Sequence, residues 1–223
     1  MKWKEKTLAI SMLGSLLFGA CKKDKEQPPV NQLVSNLRAY YQFNNDLSDS
    51  TGHNGDGKAD NKGVSFVPDR IHVATSALYF AGVGGTVSFN DIDIQTEEVS
   101  VSVWVHPEPN LLVYFLRSND GGIGFFQNGP KFGFAVSIPA TNNAEDVLAN
   151  DWQNLTGTYD GKVIKLYVDG IFKYATGHPG KIPNINSLIL GGSNIAYWKG
   201  ALDDLRIYDC VLTDDEIKTL AKW

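Results

Sequence analysis

Residues 99–105 read Val99-Ser100-Val101-Ser102-Val103-Trp104-Val105. Unbroken alternation over such a stretch is the period of a β-strand, whose successive side chains point to opposite faces. The four valines share one face and belong in a core between two sheets. Ser100, Ser102 and Trp104 share the other, which is expected to be half solvated or to line a shallow groove.

Working outward, Leu155–Tyr159, Val163–Val168 and Ile171–Tyr174 are three more apolar runs, separated by Asp160-Gly161 and Asp169-Gly170. Asp-Gly supplies the positive φ angles of tight hairpins, so these runs predict a three-stranded meander. Further strands are expected at Tyr40–Phe43, Ala77–Phe80, Thr86–Phe89, Leu112–Arg117, Ile123–Gln127, Phe132–Ile138, Ser187–Leu190 and Ala201–Tyr208. Strands at this spacing without helices between them predict an all-β fold, a two-sheet antiparallel sandwich or barrel. The single helix expected is C-terminal. Thr213 caps it, Glu216 completes a capping box, Leu212 staples to Ile217, and Ile217, Leu220 and Ala221 form its apolar stripe.

Composition agrees. The chain has 223 residues, 43% hydrophobic and 20% charged, which supplies one sizeable core and excludes a disordered chain or a polytopic membrane protein. The net charge is -5, and Lys2, Lys4 and Lys6 against Glu5 place positive charge at the very start, so the remainder is more acidic still. An acidic body repels phosphate backbones, and no nucleic-acid partner is expected. Two cysteines exclude a disulfide-rich scaffold, and Cys210, among Ile207, Tyr208, Val211 and Leu212, reads as an inert, buried thiol.

The basic start is followed by a short apolar run from Thr7 to Phe18, too short to span a bilayer as a helix. With small residues at Gly19-Ala20 it reads as a secretory signal peptide. Leu17-Phe18-Gly19-Ala20-Cys21 resembles the lipobox of bacterial lipoproteins, with Phe18 where leucine is usual. That resemblance implies acylation of Cys21 and residence in the cell envelope as an outer-membrane lipoprotein, held to the membrane by its lipid anchor only. The other reading is an ordinary signal peptide with an incidental cysteine. The expected organisation is a signal peptide over 1–20, a charged, proline-containing tether over 21–36 and one domain over 37–223.

Two segments carry a family resemblance. The first is Trp152-Gln153-Asn154-Leu155-Thr156-Gly157-Thr158-Tyr159-Asp160-Gly161, continuing through Lys165-Leu166-Tyr167-Val168-Asp169-Gly170; the second runs from Lys199-Gly200-Ala201-Leu202-Asp203-Asp204 through Leu205-Arg206-Ile207-Tyr208. With Tyr40-Tyr41-Gln42-Phe43, Asp49-Ser50-Thr51-Gly52 and Ala77-Leu78-Tyr79-Phe80, the chain resembles the laminin-G-like, concanavalin A-like jelly-roll modules. The resemblance implies a jelly-roll sandwich and carbohydrate or surface-protein binding. Fold alone does not assign function.

It also implies calcium. Members often hold a structural Ca²⁺ between the early Asp-Ser-Gly loop and the late Asp-Asp strand, and Ca²⁺ takes oxygens from carboxylates, amides and carbonyls. Asp49, Asn54 and Asp203 are the expected ligands. Simple alternation puts Asp203 on the face of Leu205 and Ile207, where a carboxylate must be paired, hydrogen-bonded or bound to metal. The alternative is that Asp49 and Asp203 accept bonds from the protein itself.

Glycan recognition rests on exposed rings, so the candidate ligand-binding residues are Trp104, Phe126 beside Gln127-Asn128, and Tyr197-Trp198. No catalytic residue is assigned. Asp91 and Asp93 would share a strand face as a glycoside hydrolase requires, which keeps a cryptic hydrolase as an alternative. A structural or adhesion subunit of an envelope complex is the other. The primary expectation is a lipid-anchored, non-catalytic surface module for a glycan.

Overall fold

The structure is a computed structural model that describes residues 32–223 apart from 111, 119–120, 138–144, 147–150 and 194–195. Cys21 and the expected signal peptide lie outside the described residues. In chain order the elements are α1 (Gln32–Ser35), β1 (Leu37–Tyr41), β2 (Lys58–Ala59), β3 (Val64–Val67), β4 (Ala77–Ala81), β5 (Val87–Phe89), β6 (Val99–Pro107), β7 (Val113–Ser118) and β8 (Ile123–Asn128). They continue with β9 (Lys131–Val136), β10 (Glu145–Asp146), β11 (Gln153–Tyr159), β12 (Val163–Val168), β13 (Ile171–Gly177), β14 (Leu188–Leu190), β15 (Gly192–Ser193), β16 (Ala196–Tyr197), β17 (Lys199–Tyr208) and α2 (Asp214–Leu220).

The strands build two antiparallel sheets. The first runs β13-β12-β11-β6-β17-β4-β3, and the second β10-β9-β8-β7-β14-β5-β2. Strand β17 changes neighbours along its length: Lys199–Leu202 pair with β4, and Leu205–Tyr208 pair with β1. This is the jelly-roll sandwich that the alternation predicts. The meander is present as β11-β12-β13. Asp169 and Gly170 both take positive φ, as a tight hairpin needs, whereas at the other turn only Gly161 does. There Asp160 instead accepts bonds from the backbone N–H groups of Lys162 and Val163, a side-chain-closed turn.

The four alternating valines of β6 are fully buried in one core with Phe115, Phe125 and Phe134 of the second sheet. Each buried ring of this kind contributes about 1.5–3 kcal/mol relative to leaving it in water. The opposite face of β6 corrects the expectation of a solvated groove. Ser100 and Ser102 are wholly buried and Trp104 is only 9% exposed. The Ser100 hydroxyl donates to the Cys210 carbonyl at 2.7 Å and accepts from the Leu212 N–H at 3.0 Å. Ser102 lies in a closed set with Asn154 and Thr156.

Helix α2 has the capping box read from Thr213 and Glu216. Its Ile217 and Leu220 join Leu212, Tyr167 and Tyr208 in a second apolar cluster on the outer face of the first sheet. Leu33 of α1 is in that cluster, so the stretch read as tether ends in a short, docked helix. Cys210 is half-buried and burial raises its thiol pKa, in keeping with an inert thiol. None of the described helices is long and apolar enough to cross a membrane.

Candidate functional site

A β-bulge decides where Asp203 points. The pairing of β17 with β6 slips between Asp203 and Arg206, and Asp204 has φ of 51°. Two residues therefore stand where alternation allows one, and the face count inverts. Leu202 and Leu205 both enter the core, while Asp203 lies opposite Trp104 on the outer face. The expectation that Asp203 shares a face with Leu205 and Ile207 is corrected by that one extra residue.

Asp203 is 3% exposed and is held by Arg70, which comes from the β3–β4 loop. The same guanidinium bonds Asp204 at 2.7 Å, donates to the Trp223 carbonyl and stacks over the Trp104 ring. Asp204 also accepts from the Tyr40 hydroxyl at 2.5 Å, and Arg206 lies over the Tyr40 and Trp223 rings. Burial and the neighbouring Asp204 carboxylate, opposed by Arg70, raise the Asp203 pKa to about 7. This network ties a loop and the C-terminal segment onto the bulge. Trp104 belongs to it, covered by Arg70. Arg70 sits in a loop without regular pattern, so nothing in the sequence singled it out.

Asp49 and Asn54 do come together, without Asp203. The Asp49 carboxylate accepts from the N–H groups of Tyr40, Thr51 and Asn54, from the Thr51 hydroxyl and from the Asn54 amide. Burial pushes its pKa up, but these bonds outweigh that and hold it below the usual carboxylate value. The Asn54 oxygen accepts from the Asp93 N–H. The acceptor capacity that a cation would need is therefore already filled by protein donors, and Asp203 serves an arginine. The three expected ligands do not fit a shared calcium site. Among the described residues no group of three or more His, Cys, Asp or Glu is arranged to hold a metal.

Of the expected ligand-contacting rings, two are core. Trp198 has no exposed surface, stacks on Phe115 and donates its indole N–H to the Gln127 amide oxygen at 2.6 Å. Phe126 is 2% exposed and packs against Tyr114. Only Tyr197 stands at an open site. The β15–β16 hairpin that carries it is secured by Gly192, at φ of 120°, where a Cβ would come within 2.3 Å of the Ala196 carbonyl oxygen. Tyr197 lines a rim cavity of about 360 Å³ together with Leu112, Ala196, Asn110 and Lys199. That size lies within the range of small-ligand sites.

The cavity wall is rigid for a reason. Asn110 donates to the Gln127 oxygen and to the carbonyls of Glu108 and Lys199, and accepts from the Lys199 N–H. The loop after β6 is thereby fixed to the start of β17. At the edge, the Lys199 ammonium meets Glu108 at 2.5 Å and the Tyr79 hydroxyl donates to the other oxygen of Glu108 at 2.9 Å. The ammonium, against the opposing effect of burial and with help from the Tyr79 hydroxyl, lowers the Glu108 pKa, while Glu108 raises that of Lys199. The ring and this pair offer a polyol a stacking face, donors and acceptors. Glu108 and Lys199 escaped the sequence reading because a single pair of opposite charges carries no motif.

Asp91 and Asp93 lie in the exposed stretch between β5 and β6 rather than on a strand. Ile92 and Ile94 turn inward and both acids face solvent. This placement removes the paired-carboxylate reading of that segment.

Residues 81–218 match the family model Laminin_G_3, the concanavalin A-like lectin/glucanases superfamily, over more than half of the chain. The chain belongs to this superfamily. No curated protein matches it in sequence. Among solved structures, this member of the lectin/glucanase superfamily is similar to domain 4 of AbnA, a GH43 extracellular arabinanase from Geobacillus stearothermophilus, in complex with arabinotriose. The identity is 25%, the TM-score 0.65, and the match covers 83% of this chain and 98% of that one. It shares its fold with the botulinum neurotoxin serotype D binding domain, at 16% identity and a TM-score of 0.66. It does so too with the binding domain of botulinum neurotoxin DC in complex with SialylT, at 16% identity and the same TM-score. Each of these two matches covers 84% of this chain and 51% of that chain, so the lectin/glucanase module spans about half the length of those binding domains.

Proposed function

We propose that the protein is a non-catalytic glycan-binding module, with the rim cavity at Tyr197 as its contact point. The observation that carries the reading is the end-to-end similarity to an arabinanase domain solved with arabinotriose, which this chain matches over nearly the whole of that domain. The cavity supports it chemically. A partly exposed ring beside an ion pair and a tyrosine hydroxyl is a suitable surface for stacking and hydrogen bonding to sugars.

The test is a glycan array probed with the whole chain and with Tyr197→Ala. Retention on some oligosaccharides, lost in the variant at unchanged melting temperature, supports the reading; no retention on any of them overturns it. Anchoring through Cys21 is part of the same proposal and rests on Leu17-Phe18-Gly19-Ala20-Cys21. Incorporation of labelled fatty acid into the wild type and not into Cys21→Ser tests it separately.

A further inference from the structure

Apart from its ring, the rim cavity is walled mostly by hydrocarbon. Ala81, Pro109, Leu112, Val113 and Ala196 line it beside Tyr197. Leu112 is a large apolar side chain left 52% exposed at this opening. The Tyr197 ring rests against the loop after β4, where a Cβ on Gly84, at φ of 117°, would lie 4.0 Å from its Cζ. The polar groups of the lining are largely engaged within the protein. The Asn110 amide is spent on three acceptors and its oxygen accepts the Lys199 N–H. The Lys199 ammonium is paired with Glu108, and that pair is left to meet the hydroxyls of a sugar.

A pyranose has one apolar C–H face, which the Tyr197 ring can take by stacking. Most of its remaining perimeter is hydroxyl. A hydroxyl turned towards Leu112, Pro109 and the two alanines would lose water and gain no partner, which is unfavourable. A methyl group in the same place is favourable, because it and the wall leave water together.

We infer that this cavity selects a sugar carrying a methyl group, a 6-deoxyhexose or an N-acetylated sugar, with the methyl against Leu112 and the hydroxyls on the Lys199–Glu108 pair. The inference rests on the glycan reading above and deepens it to a class of sugar.

The experiment compares sugars that differ at that one group: L-fucose with L-galactose, L-rhamnose with L-mannose, and N-acetylglucosamine with glucose. Each is titrated into the whole chain by NMR, and saturation transfer reads which sugar protons touch the protein. The expected result is affinity at least ~4-fold higher for the methyl-bearing member, the worth of about one CH₂ group taken out of water, with the methyl protons saturated most strongly. The deoxy and N-acetyl pairs distinguish the two sources of the methyl. Leu112→Asn should bring the members of a pair towards equal affinity at an unchanged melting temperature, and the wild-type comparison stands even if that variant does not fold. Retention on the glycan array with the members of every pair binding alike, or with the methyl-free members binding better, overturns the methyl preference and leaves the glycan reading standing. A preference that survives Leu112→Asn in full overturns the placement of the methyl. Absence of retention on the array overturns both readings.

Discussion

A Cβ placed on Gly157 would lie 2.2 Å from Cγ of Phe134. Strand β11 has no side chain where the ring of β9 crosses the core, and the two sheets come together there. Gly157→Ala puts a methyl group inside an aromatic ring that has nowhere to go, because Phe134 is itself wedged against Phe125 at 4.8 Å. Overfilling of this kind costs about 1–3 kcal/mol. Urea unfolding should show a lower midpoint with an unchanged slope, and glycan affinity of the folded protein should stay at the wild-type value.

The adjacent residues Tyr197 and Trp198 should separate cleanly. Trp198→Phe removes the indole N–H and leaves the Gln127 oxygen its bond from Asn110. The loss is that of one net hydrogen bond, about 0.5–1.5 kcal/mol, so stability falls. Tyr197→Ala removes a ring at the cavity mouth and should leave the melting temperature within a few degrees of wild type while weakening sugar binding. Thermal melts and titrations of the two variants check both. A binding loss in Trp198→Phe beyond its unfolded fraction would contradict this assignment.

These two residues also show what could be read in the sequence. Alternation and Asp-Gly turns report on backbone period and twist, which are local, so the strands, the meander and the capped helix were legible. Burial on the far face of a strand depends on what lies over it. Nothing local in Ser100, Ser102 or Trp104 announces that the segment at Cys210–Leu212, the Asn154–Thr156 pair and Arg70 will meet them. The inverted face of Asp203 depends on a single extra residue at Asp204, which leaves no trace in an alternating pattern. Phe126 and Trp198 are rings beside polar residues, and whether such a ring meets ligand or core depends on strand order. Tyr197 was named with Trp198 because both stand just before the last strand, and only the structure separates the two, with Tyr197 lining the cavity and Trp198 fully buried.

Asp203 and Asp49 should respond to pH with opposite signs. The pKa of Asp203 in the folded protein is raised to about 7, above its unfolded value. The native state then holds the extra proton in the window between, and stability falls as pH rises from about 4 towards 7. Asp49 is depressed, so its contribution is present above the ordinary carboxylate pKa and is lost as pH drops below it. Melting temperatures measured from pH 3 to 8 should rise on leaving acid and then decline by a few degrees towards neutrality. Asp203→Asn should flatten the decline, and Asp49→Asn should flatten the rise. A wild-type profile that climbs steadily to pH 8 would contradict the assignment for Asp203.

The early acidic loop is built to stabilise itself without a cation. Five donors converge on Asp49, and two of them come from Asn54, whose amide also bonds the Arg38 carbonyl at 2.7 Å. Hydrogen bonds to a charged acceptor contribute roughly 1.5–3 kcal/mol each, though not additively. A divalent ion that bound only the native state would raise the melting temperature, and a chelator would lower it. Here a chelator is expected to leave the melting curve where it was. Asp49→Ala, which abandons all five donors at once, should lower stability by at least about 2 kcal/mol with or without added calcium. If calcium raised the melting temperature of the wild type and not of Asp49→Ala, the loop would have to open its hydrogen bonds to take the ion, and the self-sufficient arrangement at Asp49 would be refuted.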